Sequence, residues 1–188
     1  ESESCGNYQQ YIPRLVTSFQ PEYIVGSVHH VLEVNFDYSP AHYLQAVEKA
    51  RGLTRLYARY FDLQYEMIAA IKPSVIGHFD LIRIFDRNYR QQWRQPEVWR
   101  RIVRNLELIE KLGLILDYNQ RAVVKGASEP YISRPILALA REMNIAVVPG
   151  DDSHSVATVG CFIREAAATL GEMGFTGVWK KRLPQESI

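Results

Sequence analysis

The chain has 188 residues, 47% of them hydrophobic, enough for one sizeable core and a single domain spanning 1–188. Its 22 basic and 21 acidic side chains leave a formal charge of +1, which gives no electrostatic case for nucleic acid or an anionic membrane as a partner. No apolar run approaches the ~20 residues that span a bilayer, and Cys5 and Cys161 are too few and too distant for a disulfide framework or a thiolate zinc site, so a reduced, cytoplasmic setting is the default.

In chain order, "ESESCGNYQQ" lacks an initiator methionine and reads as an interior segment. The first expected strand is "EYIVGSV" (22–28). After "NFDYSP" a helical pattern runs from 41 to 71, started by Ser39-Pro40 as cap and first-turn proline, with Gly52 as a candidate interruption. A strand follows in "SVIGHFDLI" (74–82), then an Arg- and aromatic-rich stretch, read as a solvated face with aromatic packing. A helix at 96–112 closes on Gly113. "LILDYN" is the third strand, "RPILALAREMN" a shorter helix and "IAVVPG" (145–150) the fourth strand. A last helix near 156–173 precedes "TGVWKKR", a candidate closing strand. Strands alternating with helices imply a parallel α/β architecture, either a barrel or an open doubly wound sheet.

Three of these strands end alike. "YIVGSVHH", "SVIGHFDLI" and "IAVVPGDDSHS" each carry an apolar run to a glycine and then to a histidine. In parallel α/β proteins the C-terminal ends of the strands gather on one face, so His29, His78, Asp152 and His154 can converge although distant in sequence. Imidazole nitrogen and carboxylate oxygen suit zinc, manganese and iron. One histidine after a glycine is ordinarily a turn or core residue, and "GDDSH" alone would serve as a helix cap. Recurrence at three strand ends favours a metal site. His30 is turned from His29 by strand alternation, so one of the pair faces the site, and His42 reads as solvated.

These segments, together with "LDYNQRAVVKGASEPYISRPILALAREMNIAVVPGDDSHS", resemble the polymerase and histidinol phosphatase superfamily, more closely its histidinol-phosphatases in their fungal branch. The resemblance runs from about residue 22 to 180, with motifs in the same order. It implies a distorted (β/α)7 TIM-like barrel holding a trinuclear cluster of divalent ions (Zn, Mn or Fe). Carried over by motif, His29, His78, Asp152 and His154 are metal ligands, and Asp152 and His154 also belong to the catalytic segment. Here that segment reads "GDDSH": Asp151 stands where the family has serine, either orienting a ligand or water or capping the next helix. "ESES" matches the tail of a family segment whose leading glutamate bridges two metals, which would make Glu1 a ligand. The family's N-terminal "HxH" strand does not occur, so the chain is expected to be an incomplete C-terminal portion of the barrel.

The implied activity is hydrolysis of a small-molecule phosphate ester, L-histidinol phosphate, in histidine biosynthesis. The alternatives are another phosphate-ester substrate, or an inactive truncated barrel acting only as a binding module. The phosphate also calls for cations, for which the order of preference is Arg83, Lys125, then Arg134. Oligomeric state is not legible.

Overall fold

The computed structural model describes residues 1–4 and 6–177. Strands β1 (Ser2–Glu3), β2 (Val25–Ser27), β5 (Val75–Ile76), β6 (Ile115–Asn119) and β7 (Ala146–Gly150) form one sheet in that order, every pair parallel. The order follows the chain without reversing. A doubly wound sheet reverses at a switch point, and no such reversal occurs among the described strands. Among the described residues the sheet is open, with β1 and β7 at its edges. The closing strand expected in 176–182 lies, from residue 178 on, outside the described residues.

Helices cover one face of the sheet. The long pattern at 41–71 is two helices, α2 (Pro40–Lys49) and α3 (Leu53–Ile71). They are divided where Arg51 (φ 58°) and Gly52 (φ 131°) leave the helical region. Ser39 caps α2 as expected, its hydroxyl accepting from the His42 amide. Helix α5 (Pro96–Leu112) packs on α3 and presents Val98, Ile102, Asn105, Leu106 and Ile109 at helical spacing. It ends on Gly113 in the left-handed conformation, with the Leu114 amide returning to the Ile109 carbonyl. Arg101 and Arg104 pair with Asp62 of α3, which binds the two helices together. Helix α7 (Arg134–Glu142) adds Ile136, Leu137 and Ala140 to the same core.

Several expectations are revised. "SVIGHFDLI" yields a strand of only two residues, because His78 turns to φ 22° and the chain then coils into a 3-10 turn at Leu81–Arg83. The last helix begins later, as α8 (Ile163–Glu172), since Gly160 (φ 76°) and Phe162 (φ 60°) separate it from a 3-10 turn at Val156–Thr158. Five small features had no counterpart in the sequence pattern: β1, α1 (Tyr8–Phe19), the hairpin β3 (His30–Val31) and β4 (Val34–Asn35), α4 (Arg90–Trp93) and α6 (Arg121–Val124).

Strand alternation then sorts the side chains. In β6, Leu116 and Tyr118 join the core under the helices, while Ile115, Asp117 and Asn119 face the opposite, concave side. Tyr23, Val25, Val75 and Val148 line that concavity together with Glu1, His78 and Asp152. His29, His78 and Asp152 follow the C-terminal ends of β2, β5 and β7, and the Glu1 side chain reaches the two histidines from the start of β1.

Candidate metal centre

Glu1, just ahead of the edge strand β1, is brought to its neighbours by pairing of Ser2 with Gly26 and Glu3 with Ser27. Its Oε1 accepts hydrogen bonds from Ser27 Oγ, from His78 Nε2 at 3.1 Å and from His29 Nε2 at 3.4 Å. The ligand-type atoms of Glu1, His29 and His78 all lie within 4.8 Å of one another, and the two rings meet edge to face at 4.8 Å.

Each member is held from behind. His29 leaves β2, and the β3–β4 hairpin reverses the chain so that the Phe36 amide bonds the His29 carbonyl and Asp37 Oδ2 reaches His29 Nδ1 at 2.9 Å. A carboxylate on the far ring nitrogen fixes tautomer and orientation, as partners of metal-bound histidines do. His78 is fixed through its neighbour. The Phe79 carbonyl accepts from Tyr60 Oη (3.1 Å) and Gln64 Nε2 (2.9 Å), two buried groups of α3. That clamp holds His78 at its left-handed φ, a conformation that costs a non-glycine residue energy and tends to collect at functional sites.

Three glycines precede the three predicted strand-end motifs, and two of them make room for the site. A Cβ on Gly77 would stand 2.5 Å from Ser27 Oγ, and one on Gly150 would collide with the Asp117 carboxylate. Gly26 serves the other face, where a Cβ would stand 2.6 Å from Pro73 and 2.7 Å from the Met67 sulfur.

The electrostatics are those of an ion pair. Burial pushes the Glu1 carboxyl up, but hydrogen bonds from His29 and His78, the His78 charge and Ser27 prevail and hold it well below the usual carboxylate range. Burial works against charge on His29, yet hydrogen bonds and charge from Asp37 and Glu1 raise it to about 10. Without an ion, then, protons mediate the contacts that an ion would replace. The donor set suits one: a carboxylate and two imidazoles, with His78 Nδ1 buried and lacking a hydrogen-bond partner among the described residues.

Asp152 and His154 line the same narrow cavity as these three but stand outside their cluster. Asp152 sits at φ 48°, and His154, its side chain 63% exposed, bonds the Asp152 carbonyl through Nδ1 at 2.8 Å. Asp151 braces its own loop, and neither following helical segment carries a side-chain cap. The Asp151 carboxylate accepts from the Gly160 amide at 2.6 Å and from Ser153 Oγ at 3.0 Å, closing the loop, and the amide bond holds its carboxyl below the usual range. As expected of the histidine pair, His30 points elsewhere, to Glu3.

The cations divide sharply. Arg83, the first preference for phosphate, is 5% exposed and already engaged. Its Nε donates to Asp80, and Nη2 donates to the carbonyls of Glu129 and Pro130, with the guanidinium between the Tyr89 and Tyr131 rings. It fastens the 129–133 segment to the 3-10 turn and is absent from the residues that line the cavity. Arg134 opens α7, exposed, with its amide bonded to Glu129. Lys125 lines the cavity, as does Arg121, for which the sequence offered no signal.

Two more groups have no clear signature in the sequence. Asp37 lies in a stretch that reads as a loop, and only the short hairpin reveals its reach. Asp117 hides within a strand. Burial pushes its carboxyl up to about 6 against the pull of Asn119 and the His78 amide.

No protein-family model matches the chain. It is 31% identical over 172 residues to the histidinol-phosphatase assigned in Schizosaccharomyces pombe, covering 90% of this chain and 56% of that one. It is also 31% identical over 188 residues to the Saccharomyces cerevisiae histidinol-phosphatase, covering 85% and 56%. The crystal structure of a Listeria monocytogenes protein assigned as a histidinol phosphatase superposes with a TM-score of 0.76 at 25% identity, covering 86% of this chain and 64% of that one. The chain spans about half the length of the curated relatives it matches. Over that span, the chain is similar in sequence and in fold to proteins assigned as histidinol-phosphatases.

Proposed function

We propose that this chain supplies the C-terminal rim of a metal-dependent phosphomonoesterase that hydrolyses L-histidinol phosphate to L-histidinol and phosphate. The observation that carries the reading is the Glu1–His29–His78 cluster at adjoining parallel strand ends, in a chain similar over most of its length to histidinol-phosphatases. The one-way strand order supports a barrel of the distorted (β/α)7 type as its setting.

Glu1, His29 and His78 are the residues to hold a first ion, and Asp152 and His154, on the same cavity, extend the donor set toward a multinuclear site. Residues of this set would hold divalent ions whose charge would acidify a water and offset that of the phosphate oxygens. The chain's own part is placement. Asp37 orients His29, the Tyr60–Gln64 clamp orients His78, and Lys125 adds positive charge at the mouth. Phosphoryl transfer needs mostly positioning and electrostatics, so no side-chain nucleophile is required.

The test is phosphate release by the purified protein, loaded with zinc, manganese or iron, from L-histidinol phosphate and from a panel of other small phosphomonoesters. The expected result is metal-dependent turnover with histidinol phosphate preferred and more than one ion per chain. A fully loaded protein inert toward every ester refutes the reading, and preference for another ester refutes the substrate.

A further inference from the structure

We infer that Tyr131 is the specificity-determining wall of the cavity, limiting the leaving group an ester can carry, and that the buried Arg83–Asp80 pair is the device that positions it. The ester is that of the phosphatase reading, on which this rests, whereas the three residues lie outside the ligand cluster. Tyr131 is 3% exposed and lines the narrow cavity that also receives Glu1, His29, His78 and Asp152. Its ring meets the His78 ring edge to face at 6.4 Å. The cavity measures only about 60 Å³, so one aromatic ring more or less decides how large a group fits there.

Between α6 and α7 the chain forms neither helix nor strand, and an isolated bridge to Asn119 holds Tyr131 by its amide and its carbonyl. Arg83 and Asp80 bracket that residue. Arg83 Nη2 donates to the carbonyls of Glu129 (3.1 Å) and Pro130 (2.6 Å) before it, and Asp80 Oδ2 accepts from the Ser133 amide at 2.9 Å after it. Arg83 Nε closes the bracket by donating to the same Asp80 oxygen at 3.2 Å. The guanidinium also lies 4.6 Å from the centre of the Tyr131 ring, so the ring is fixed as well as its backbone. Asp80 is wholly buried and Arg83 nearly so. An ion pair buried so deeply contributes little net stability, because desolvation offsets the attraction, and what this one supplies is geometry. Arg83 does not line the cavity itself, which makes it a positioning residue and Tyr131 the group that meets the ester.

Phosphonates, which are not hydrolysed, test this without turnover. Calorimetric titration of methylphosphonate and of benzylphosphonate into the metal-loaded protein gives a preference ratio for wild type, Tyr131→Ala, Arg83→Lys and the double variant, with Tyr131→Leu as the milder truncation. Tyr131→Ala is expected to move the ratio about 10-fold or more toward benzylphosphonate, with metal content unchanged. Arg83→Lys, which keeps the charge but loses the fork, is expected to move it the same way by less. The double variant is expected to match Tyr131→Ala alone, since a residue acting through the ring then has nothing left to act on. A wild-type ratio in both Tyr131 variants overturns the wall, as does loss of metal from both, which would make the ring a support for His78. A wild-type ratio in Arg83→Lys, or shifts that simply add in the double variant, overturns the positioning role. Tyr131-dependent discrimination by a protein that hydrolyses no ester would keep the wall and reject the phosphatase reading, so the two failures stand apart.

Discussion

Glu1, His29 and His78 on one side of the mouth, and Asp152 and His154 on the other, are expected from the same kind of motif, yet they are held differently. The first group sits in a closed web. Ser27 and both rings meet one carboxylate oxygen, Asp37 backs His29, and the buried Tyr60 and Gln64 pin the segment after His78. The second group hangs on a loop after β7, closed on itself by Asp151 and Gly160, with His154 mostly exposed and bonded to its own loop. One group is fixed by contacts from several elements, and the other only by its own loop.

That contrast can be broken by mutation. The largest effect is expected from His78→Ala, which should lower affinity for the tightest-bound ion by about a thousandfold or more, beyond the ~10–100-fold typical of supporting residues, whereas His154→Ala should cost about 10-fold. Metal titration monitored by competition with a chelator measures both, and equal losses would erase the distinction.

The next effect concerns Asp117, which shares the concavity with both groups. Its folded pKa stands above the ordinary value, about 6 against 3.8, so the fold favours the protonated carboxyl. That preference is fully present below about pH 4 and is lost as pH rises through about 6, a swing of about 3 kcal/mol for the metal-free protein. Asp117→Asn should therefore grow more stable relative to wild type from about pH 4 to about pH 8, as measured by denaturant unfolding at each pH. A difference that stays flat would contradict the burial of that charge. The smallest effect is Gly150→Ala, which forces a methyl group against Asp117 and should cost about 2 kcal/mol in thermal unfolding while leaving the Glu1 cluster intact.

Much of this arrangement was readable from residue types alone. Alternating strands and helices, the Ser39-Pro40 start, the break at Gly52 and the stop at Gly113 all follow from local chemistry, and the structure repeats them. The histidines at strand ends were readable for the same reason, since parallel topology gathers strand tips whatever their sequence separation. What escaped was set by tertiary geometry. The β3–β4 hairpin has two-residue strands, too short for a periodic signal, and with it went the role of Asp37. Helix α1 carries Pro13 inside it, has no side-chain cap and exposes Tyr11, Leu15 and Phe19, so no start or burial pattern announces it. The preference for Arg83 rested on its proximity in sequence to His78, which says nothing of whether a guanidinium is already engaged, as Arg83 is by Asp80 and two carbonyls.

The shortness of β1 has its own corollary. Two residues of ladder join the edge strand to β2, while Glu1 reaches across to a ring that comes after β5. An ion seated among Glu1, His29 and His78 would act as a rivet across β1, β2 and β5, so that fraying of that edge and ion release would become one thermodynamic event. Amide exchange at residues 2–4 should accordingly slow when metal is added, and slow far less for backbone in the helical layer.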